Sequence, residues 1–294
     1  MKIKGLVTVA KQQPDESDLS AIRELESVCN EYEHLKLKLN WGTITERKPD
    51  ETNDFFCYDA KGSMVGYLAI YCFGKPEAEI SGMVNPAFRR QGIFSGLLEL
   101  AMAECRARHV KSLLFICERS SASGTAFINS IGTVYDHSEH RMKLPENALP
   151  AETGGIIKLR KATSADSKMM TKLDVICFDM PEEDTADSSS EENPVSNAET
   201  FVAVLGDQAI GKIRLEREND DIMIYGFAIQ PEYRGRGYGR AALQLAVKTA
   251  LEHKPARVGL EVDCVNDTAL SLYHSCGFKT ISTYDYYRLP VQGV

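Results

Sequence analysis

The sequence predicts a mixed α/β fold in two tandem copies, each with a mostly antiparallel mixed sheet flanked by helices. The main observation is an internal repeat. Residues 82–101, "GMVNPAFRRQGIFSGLLELA", align without a gap on residues 227–246, "FAIQPEYRGRGYGRAALQLA", at an offset of 145 residues. Repetition over this length indicates a duplicated domain rather than a solenoid repeat. The matched pairs are Pro86 and Pro231, Phe88 and Tyr233, Arg89 and Arg234, Gly92 and Gly237, and Leu98 and Leu243, with Gly66 and Gly211 upstream and Gly132 and Gly277 downstream.

The junction between the copies is the second observation. Residues 144–155, "LPENALPAETGG", are rich in proline and glycine and lie between two segments with strand character. Such composition is typical of a linker. We therefore predict an N-terminal domain over 1–147 and a C-terminal domain over 154–294.

The order of elements is the third observation, and in the second copy hairpin strands are mixed with helices. Apolar residues of 240–253 recur at helical spacing, which predicts an amphipathic helix. Such an order favours a mixed sheet over a purely parallel one. Strands are predicted in 155–162, in 199–218 on both sides of a Gly206–Asp207 turn, and in 222–229, 257–264 and 282–289; the other helices are predicted in 164–178, beginning at Ser164 or Asp166, and in 267–277.

Composition limits the class of protein. The chain has 294 residues, a formal net charge of −8 and 43% hydrophobic residues, ordinary values for a soluble globular protein. The acidic balance argues against a nucleic-acid partner. No apolar run approaches the ~20 residues of a membrane span, and the apolar run at residues 5–10 is too short for a signal peptide. We expect a cytoplasmic protein without a membrane partner.

The cysteines and histidines predict neither a metal site nor a disulfide framework. The eight cysteines include no C-x-x-C pair, and the six histidines form no H-x-x-x-H or H-E-x-x-H pattern. Most of the cysteines lie among apolar residues, so we expect buried free thiols. The oligomeric state cannot be read from the sequence.

The segment 234–240 places three glycines and three arginines directly before a predicted helix. A solvated surface turn does not explain why the feature recurs in both copies. The G-x-G-x-G spacing resembles a dinucleotide fingerprint, with Glu261 about 20 residues on, but the third glycine is one position early. The favoured interpretation is a diphosphate cradle, because a helix start offers unpaired N–H groups and glycine lets the backbone approach phosphates.

Two motifs of the second copy resemble the GNAT superfamily of N-acetyltransferases. Arg234, Gly237 and Gly239 match its acetyl-CoA signature, R/Q-x-x-G-x-G/A. The stretch 265–278, "VNDTALSLYHSCGF", is similar to the N-x-x-A-x-x-L-Y-x-x-x-G-F segment of the family. Together the motifs cover most of residues 221–289, so the resemblance implies two tandem GNAT-like domains of the two-domain type.

The resemblance implies direct transfer of an acetyl group from acetyl-CoA to an amine. It makes Tyr273 the general acid and has Asn266 contact the cofactor. Glu261 is the candidate general base, because it alternates along its strand with two apolar residues; Asp263 is a weaker candidate. The competing interpretations are a packed tyrosine and a solvated carboxylate. Backbone groups of Phe227, Ala228 and Ile229 would bind the pantetheine, and those of Arg234, Gly235, Arg236, Gly237, Tyr238, Gly239 and Arg240 the diphosphate.

The first copy departs from the family pattern. At the 145-residue offset Ser121 replaces Asn266, Ile128 replaces Tyr273, and Phe94 replaces Gly239, which makes the loop bulkier. Isoleucine cannot donate a proton. We expect the second copy to be catalytic and the first to be structural, regulatory or substrate-shaping. The first copy can still hold CoA through Met83, Val84, Arg89, Gln91 and Gly92.

The acceptor is the least determined part of the prediction. Residues 178–197 carry seven acids and no base. An acidic loop beside the acceptor site would favour a cationic amine, such as a polyamine, an aminoglycoside or a peptide N-terminus; a solvated, disordered acidic loop is the competing interpretation. The chain is thus predicted to acetylate a primary amine of a small molecule or peptide. The alternatives are a longer acyl-CoA as donor, or a CoA-binding sensor or scaffold without catalysis.

Overall fold

The chain forms two units, each organised around a mixed sheet with the same order of pairing. The computed structural model describes residues 5–73, 76–146, 155–178, 198–218 and 220–291. Unit 1 comprises Met1–Ser138 and Ser282–Val294, and unit 2 comprises Glu139–Ile281. The prediction of a mostly antiparallel mixed sheet flanked by helices is confirmed.

Unit 1 has the strand order β1-β2-β3-β4-β5-β12. All neighbours are antiparallel except β4 and β5, which are parallel. Its strands are β1 (Val7–Lys11), β2 (Asp54–Tyr58), β3 (Met64–Tyr71), β4 (Glu77–Val84), β5 (Ser112–Glu118) and β12 (Lys279–Pro290), and part of β6 (Val134–Lys143) also lies in this unit. Its helices are α1 (Glu16–Glu33), α2 (Trp41–Thr45), α3 (Ile93–Ala107) and α4 (Ala122–Ser130).

Two apolar clusters cover the two faces of this sheet. Ile22 and Leu25 of α1 pack with Tyr67 on one face. Leu97 and Leu98 of α3 pack with other sheet residues on the opposite face. Strand β3 is therefore buried along its whole length, which explains its nearly continuous apolar sequence.

Unit 2 repeats this arrangement with the order β6-β11-β10-β9-β8-β7. Only β10 and β11 are parallel. Its strands are β7 (Ile157–Lys161), β8 (Ala198–Leu205), β9 (Gln208–Glu218), β10 (Asp221–Ile229) and β11 (Arg257–Asp263), completed by residues 139–143 of β6. Its helices are α5 (Ser167–Phe178), α6 (Tyr238–Glu252) and α7 (Asp267–Ser275).

The compact units do not coincide with the predicted domain ranges of 1–147 and 154–294. Residues 139–143 of β6 pair with β11 in unit 2, and β12 pairs with β5 in unit 1 from Tyr284 to Pro290. The sixth strand of each unit therefore comes from the other half of the chain. Strand pairing, rather than position along the chain, sets where each unit ends.

The strands and helices predicted for the second copy are found at the expected places in the described residues. Strands β8 and β9 form a hairpin around Gly206, which has φ of +60°. The predicted helix 164–178 begins as a short 3-10 turn, Ser164–Asp166, and continues as α5. Thr163 is the N-cap of that turn, and Asp166, which directly precedes α5, accepts hydrogen bonds from the backbone N–H and the hydroxyl of Thr163 at 2.8 and 2.9 Å.

The cysteines are all free. Cys29, Cys57, Cys105 and Cys117 are buried, as expected, whereas Cys72 is exposed and the other three are partly exposed. In the part of the chain that the structure describes, no cluster of His, Cys, Asp and Glu side chains has the arrangement of a metal site.

Candidate active site

In unit 2 the two parallel strands separate part-way along their length. The ladder between β10 and β11 runs from Asp221 and Arg257 to Ile224 and Leu260, although both strands continue beyond it. A β-bulge follows Tyr225 on the other edge of β10, and bulges bend a strand and increase its local twist. Phe227, Ala228 and Ile229 lie on β10 beyond the end of this ladder, so their backbone groups are not paired with β11 in it.

The loop after β10 leads directly into the start of α6. Gly235 and Gly237 both have positive φ, +73° and +81°, a conformation that glycine adopts without strain. Gly237 is the N-cap of α6, and no side chain caps this helix. The first N–H groups of a helix have no partner within it, so those of Tyr238, Gly239 and Arg240 are available to an anion. The loop thus fits a diphosphate.

Arg234, the first residue of the signature, ties this loop to the strand before it. Its Nε donates to the backbone oxygen of Ile229 at 2.8 Å, and its Nη2 lies 3.0 Å from the Sγ of Cys177. The side chain therefore positions the loop. The positive charges at Arg236 and Arg240 belong to exposed side chains.

Unit 1 builds the same loop from a different sequence. The Nε of Arg89 donates to the backbone oxygen of Val84 at 3.0 Å, as Arg234 does to Ile229. Gly92 is the N-cap of α3 with φ of +79°, and Arg90 has φ of +64° at the position of Gly235. A non-glycine residue in this region costs about 1 kcal/mol, so the left-handed turn is kept in unit 1 against a local preference.

Phe94, which makes the signature loop of unit 1 bulkier, is accommodated by a glycine on the facing strand. A Cβ on Gly82 would lie 2.5 Å from the backbone oxygen of Tyr67 and 2.8 Å from Cε2 of Phe94, so the neighbouring strand and the phenyl ring both leave room only for glycine. In unit 2 the large and small residues have changed places: Phe227 is matched to Gly82, and Gly239 is matched to Phe94. A Cβ on Gly239 would lie 3.8 Å from Cζ of Phe227. Each unit therefore places one phenyl ring at this contact, from the helix or from the strand.

A cavity of about 550 Å³ lies in unit 1 between β4, β5 and the starts of α3 and α4. Its walls include Met83, Val84, Arg89 and Gly92, which were predicted to bind the cofactor, together with Ile128. Gln91, the remaining predicted residue, is exposed on the loop. The cleft in unit 1 has therefore not been filled, although isoleucine replaces the predicted acid there.

Asn266 caps a helix in the structure. It is the N-cap of α7, and its Oδ1 accepts a hydrogen bond from the backbone N–H of Ala269 at 3.1 Å. Ser121 caps α4 in unit 1 in the same way, with its Oγ accepting from the N–H of Gly124 at 3.1 Å. A helix cap accounts for the residue types at both positions. Contact of Asn266 with the cofactor stays a prediction.

Tyr273 is set in the core of unit 2, with 8% of its surface exposed. Its ring lies 6.2 Å from that of Phe278 in an edge-to-face arrangement. Burial raises the pKa of the phenol to about 12, because a charged oxygen is disfavoured away from water. Tyr273 therefore holds its proton at neutral pH, as a proton donor must. Ile128 occupies the matched position in unit 1.

Glu261 lies on the opposite face of the sheet from the apolar side chains of its strand. Leu260 and Val262 belong to the core of unit 2, whereas Glu261 is partly exposed and pairs in register with Arg141 of β6. Tyr273 packs in that same core, so the candidate acid Tyr273 and the candidate base Glu261 lie on opposite faces of the sheet.

A second carboxylate, which the sequence analysis missed, lies on the face of Glu261. Glu218, at the end of β9, accepts a hydrogen bond from the hydroxyl of Tyr225, and its Oε2 lies 3.9 Å from Nη2 of Arg141. Burial raises the pKa of Glu218 above its ordinary value, although Tyr225 and Arg141 act in the opposite direction. A raised pKa is what a carboxylate base near neutral pH requires. In sequence, the charged run at 216–218 looks like a solvated strand end.

The acidic segment that was predicted to shape the acceptor site lies almost entirely outside the described residues. Phe178 is the last described residue before it, and the description resumes at Ala198. The charge of this segment is therefore known from the sequence alone.

Comparison with known proteins identifies the family. The model of the acetyltransferase (GNAT) family matches residues 19–131 and 168–278, one stretch in each unit. The chain belongs to the GNAT family. The prediction of two tandem GNAT domains is thereby confirmed, and the family implies an N-acetyltransferase that uses an acyl-CoA and an amine acceptor.

Individual relatives are distant. The chain is 35% identical over 82 residues to a mycothiol acetyltransferase of Corynebacterium jeikeium, which covers 26% of this chain and 24% of that protein. It resembles a GCN5-related N-acetyltransferase of Sphaerobacter thermophilus with a TM-score of 0.82 at 17% identity, covering 100% and 98% of the two chains. A tandem GNAT protein from the clavulanic acid biosynthesis pathway gives 0.73 at 15% identity, covering 98% and 99%. These structural likenesses show the fold alone.

None of the helices in the described residues has the length and apolar character needed to cross a membrane.

Proposed function

We propose that this protein transfers an acetyl group from acetyl-CoA directly to a primary amine of a small molecule or peptide, and that unit 2 is the catalytic unit. The observation that carries the proposal is the difference between two matched helices. Tyr273 in α7 is a buried, protonated phenol, whereas α4 has Ile128 at that position. Only unit 2 therefore has a proton donor at this point of the fold.

The residues that would hold acetyl-CoA in unit 2 form one continuous path. The strand edge at Phe227, Ala228 and Ile229 would bind its extended arm through backbone groups. The loop 234–240 would bind its diphosphate, with Arg234 keeping that loop against β10. Acetyl-CoA, when bound, supplies an acetyl group activated as a thioester.

The two proton transfers of the reaction are assigned to residues on opposite faces of the sheet. Tyr273 delivers a proton from its phenolic oxygen to the leaving group. Glu218 is proposed to receive the proton of the acceptor amine, since its pKa is raised by burial and the hydroxyl of Tyr225 links it to the point where β10 leaves β11. Glu261 remains the alternative base on the same face.

The transfer itself is tested by following release of free CoA with a panel of amines. Acetyl-CoA and longer acyl-CoA donors should be compared at equal concentration. The proposal predicts amine-dependent release that is faster with acetyl-CoA. A sensor or scaffold would bind CoA without amine-dependent turnover, and a longer-chain acyltransferase would prefer the longer donor.

The choice of base gives a pH prediction. Glu218→Gln should lower kcat/KM about 100-fold, the usual contribution of a positioned base. In the wild type, kcat/KM should rise with pH as Glu218 loses its proton, at an apparent pKa above the ordinary glutamate value of about 4.3. That rise should vanish in Glu218→Gln. The measurement is the pH profile of kcat/KM with one acceptor.

Two glutamates serve as comparisons for this experiment. Glu216 lies two residues earlier on the same strand and forms an ion pair with Arg214, so Glu216→Gln should retain the wild-type profile. If Glu261→Gln removes the pH-dependent rise and Glu218→Gln does not, the base is Glu261.

The acidic segment gives a prediction about the acceptor. Combined replacement Glu182→Gln, Glu183→Gln and Asp184→Asn should raise KM for a cationic amine, because negative charge near a site concentrates cations. KM for acetyl-CoA should stay unchanged. The measurement is steady-state kinetics at low and high salt, since added salt screens the effect in the wild type. An unchanged KM for the amine would remove the segment from acceptor recognition.

A further inference from the structure

The carboxylate of Glu33 joins three elements of unit 1 at the wall of its cavity. Glu33 is the last residue of α1. Its Oε2 lies 2.9 Å from Nη1 of Arg89 in the loop before α3. Its Oε1 accepts from the backbone N–H of Ser123 in the first turn of α4 at 3.1 Å, and its Oε2 accepts from the Ser123 hydroxyl at 2.8 Å. All three residues line the cavity.

Glu33 is ionised at neutral pH. Burial by itself would raise its pKa, but the hydrogen bonds from Ser123 and the charge of Arg89 outweigh that effect and lower the pKa below the ordinary value. The side chain is only 14% exposed, so its charge is screened less than that of a surface glutamate. A negative charge is therefore fixed beside the loop whose counterpart in unit 2 is proposed to bind diphosphate.

The residue of unit 2 that is matched to Glu33 is not a carboxylate. At the 145-residue offset Phe178 stands where Glu33 stands, and a phenyl ring cannot accept these hydrogen bonds. The guanidinium of Arg234 instead has the sulfur of Cys177 as a neighbour. Among the residues that the structure describes, no carboxylate pairs with Arg234, Arg236 or Arg240, whereas Arg89 in unit 1 pairs with Glu33.

The cavity in unit 1 nevertheless retains the features that suit a CoA thioester. Strands β4 and β5 pair from Glu77 and Ser112 only to Ile80 and Phe115, so they separate as β10 and β11 do. The start of α3 is not capped by a side chain. The cavity wall also includes Arg90 and a second carboxylate, Glu118. Glu33 is the carboxylate that contacts the signature loop, and a like charge beside a binding site lowers affinity.

We propose that unit 1 carries a CoA-thioester site of its own, and that the Glu33 carboxylate holds this site in a low-affinity state by neutralising Arg89 and presenting a negative charge to the diphosphate. The site binds without transferring the acyl group, because Ile128 replaces the acid. This inference rests on the proposal that the chain binds acetyl-CoA, but not on unit 2 being the catalytic unit.

The test is Glu33→Gln in the full chain, titrated with CoA and separately with pantetheine, which lacks the diphosphate. Glutamine keeps an acceptor for Ser123 and removes the charge. Hydrogen exchange of the amides in residues 84–98 reports on unit 1, and that of residues 229–243 reports on unit 2. We expect Glu33→Gln to tighten CoA binding at residues 84–98 about tenfold, the size expected for one nearby charge, with pantetheine binding unchanged.

Glu31→Gln is the matched control, because Glu31 is an exposed residue of the same helix that accepts a hydrogen bond from Ser27. It should change neither affinity. An unchanged or weaker CoA affinity in Glu33→Gln, or an equal gain for pantetheine, overturns the role of the charge. If CoA protects residues 84–98 neither in the wild type nor in Glu33→Gln, unit 1 has no CoA site and the proposal is overturned. Failure of CoA binding in unit 2 would instead show as unprotected residues 229–243, so the two proposals can fail separately.

Discussion

Replacing Tyr273 with phenylalanine should lower kcat at least about 100-fold, because a positioned general acid contributes that much or more. The phenyl ring keeps the packing against Phe278, so the fold and the affinity for acetyl-CoA should be retained. The effect should therefore be in kcat, with the dissociation constant of acetyl-CoA within about twofold of the wild type. Steady-state kinetics and calorimetric titration of the same preparation measure the two quantities.

Two variants make this result specific. Ile128→Val changes the matched position in unit 1 conservatively and should leave kcat unchanged if unit 2 is the catalytic unit. Tyr233→Phe removes another hydroxyl of unit 2, one that donates to Gln208 at 2.7 Å, and should also keep the wild-type kcat. Wild-type turnover in Tyr273→Phe would show that the reaction does not use this phenol. A large loss in Ile128→Val would show that turnover depends on the packing of unit 1, and would contradict the assignment of catalysis to unit 2 alone.

The internal repeat predicts the local geometry of the site well. The matched arginines Arg89 and Arg234 make the same hydrogen bond to the strand before them, and the matched glycines Gly92 and Gly237 both cap a helix with positive φ. These features depend on residues within a few positions of each other. A sequence pattern specifies such short-range geometry directly, because backbone conformation and capping are local.

Features that depend on strand pairing could not be predicted in this way. The sequence of β12 identifies a strand but not its partner, so its place beside β5 in unit 1 was missed. The register of β9 and β10 pairs Glu218 with Asp221 and Tyr225 with Arg214. The hydrogen bond between Tyr225 and Glu218 is therefore made by long side chains that reach along the sheet, and no spacing in the sequence indicates that contact. The bond between Glu33 and Ser123 joins residues 90 positions apart. Each of these required the tertiary structure.

The pair Gly82 and Phe94, which becomes Phe227 and Gly239 in unit 2, was predictable only in part. The sequence shows both differences, but not that the two positions face each other. Taken alone, Phe94 looks like the loss of a signature glycine. Gly82, on the facing strand, shows that the bulk has moved from one side of a contact to the other. A departure from a family motif therefore has to be assessed together with the residue that faces it, because packing conserves volume at a contact rather than residue type at a position.

Arg47 and Asp54 form a buried ion pair in unit 1. The Nε of Arg47 lies 3.0 Å from Oδ2 of Asp54, and the two side chains are 4% and 0% exposed. The hydroxyl of Tyr67 donates to Oδ1 of Asp54 at 2.6 Å, and the guanidinium of Arg47 lies 5.1 Å from the centre of the Tyr71 ring. Burial raises the pKa of Asp54 despite these partners, so the carboxylate already costs free energy to keep ionised.

Replacing Arg47 with methionine should therefore lower the free energy of unfolding of unit 1 by about 3–5 kcal/mol, the usual result of leaving a buried charge without its partner. Methionine fills similar space, which limits the loss from packing. Urea unfolding followed by the fluorescence of Trp41, the single tryptophan of the sequence, measures the change, because Trp41 lies in α2 of unit 1.

The pH dependence separates this electrostatic effect from a packing defect. Without Arg47, the pKa of Asp54 in the folded state should rise further, while the unfolded chain keeps the ordinary value of about 3.9. The unfolded state then binds fewer protons than the folded state above that pH, so the variant should lose stability relative to the wild type as the pH rises from about 4 to 7. The double variant Arg47→Met/Asp54→Asn should regain part of the loss and show a flatter pH dependence, because asparagine still accepts from Tyr67 but carries no charge. The loss in free energy of unfolding could instead be the same at about pH 4 and about pH 7, and Asp54→Asn could fail to reduce it. Arg47 would then stabilise unit 1 by packing rather than by compensating the buried charge.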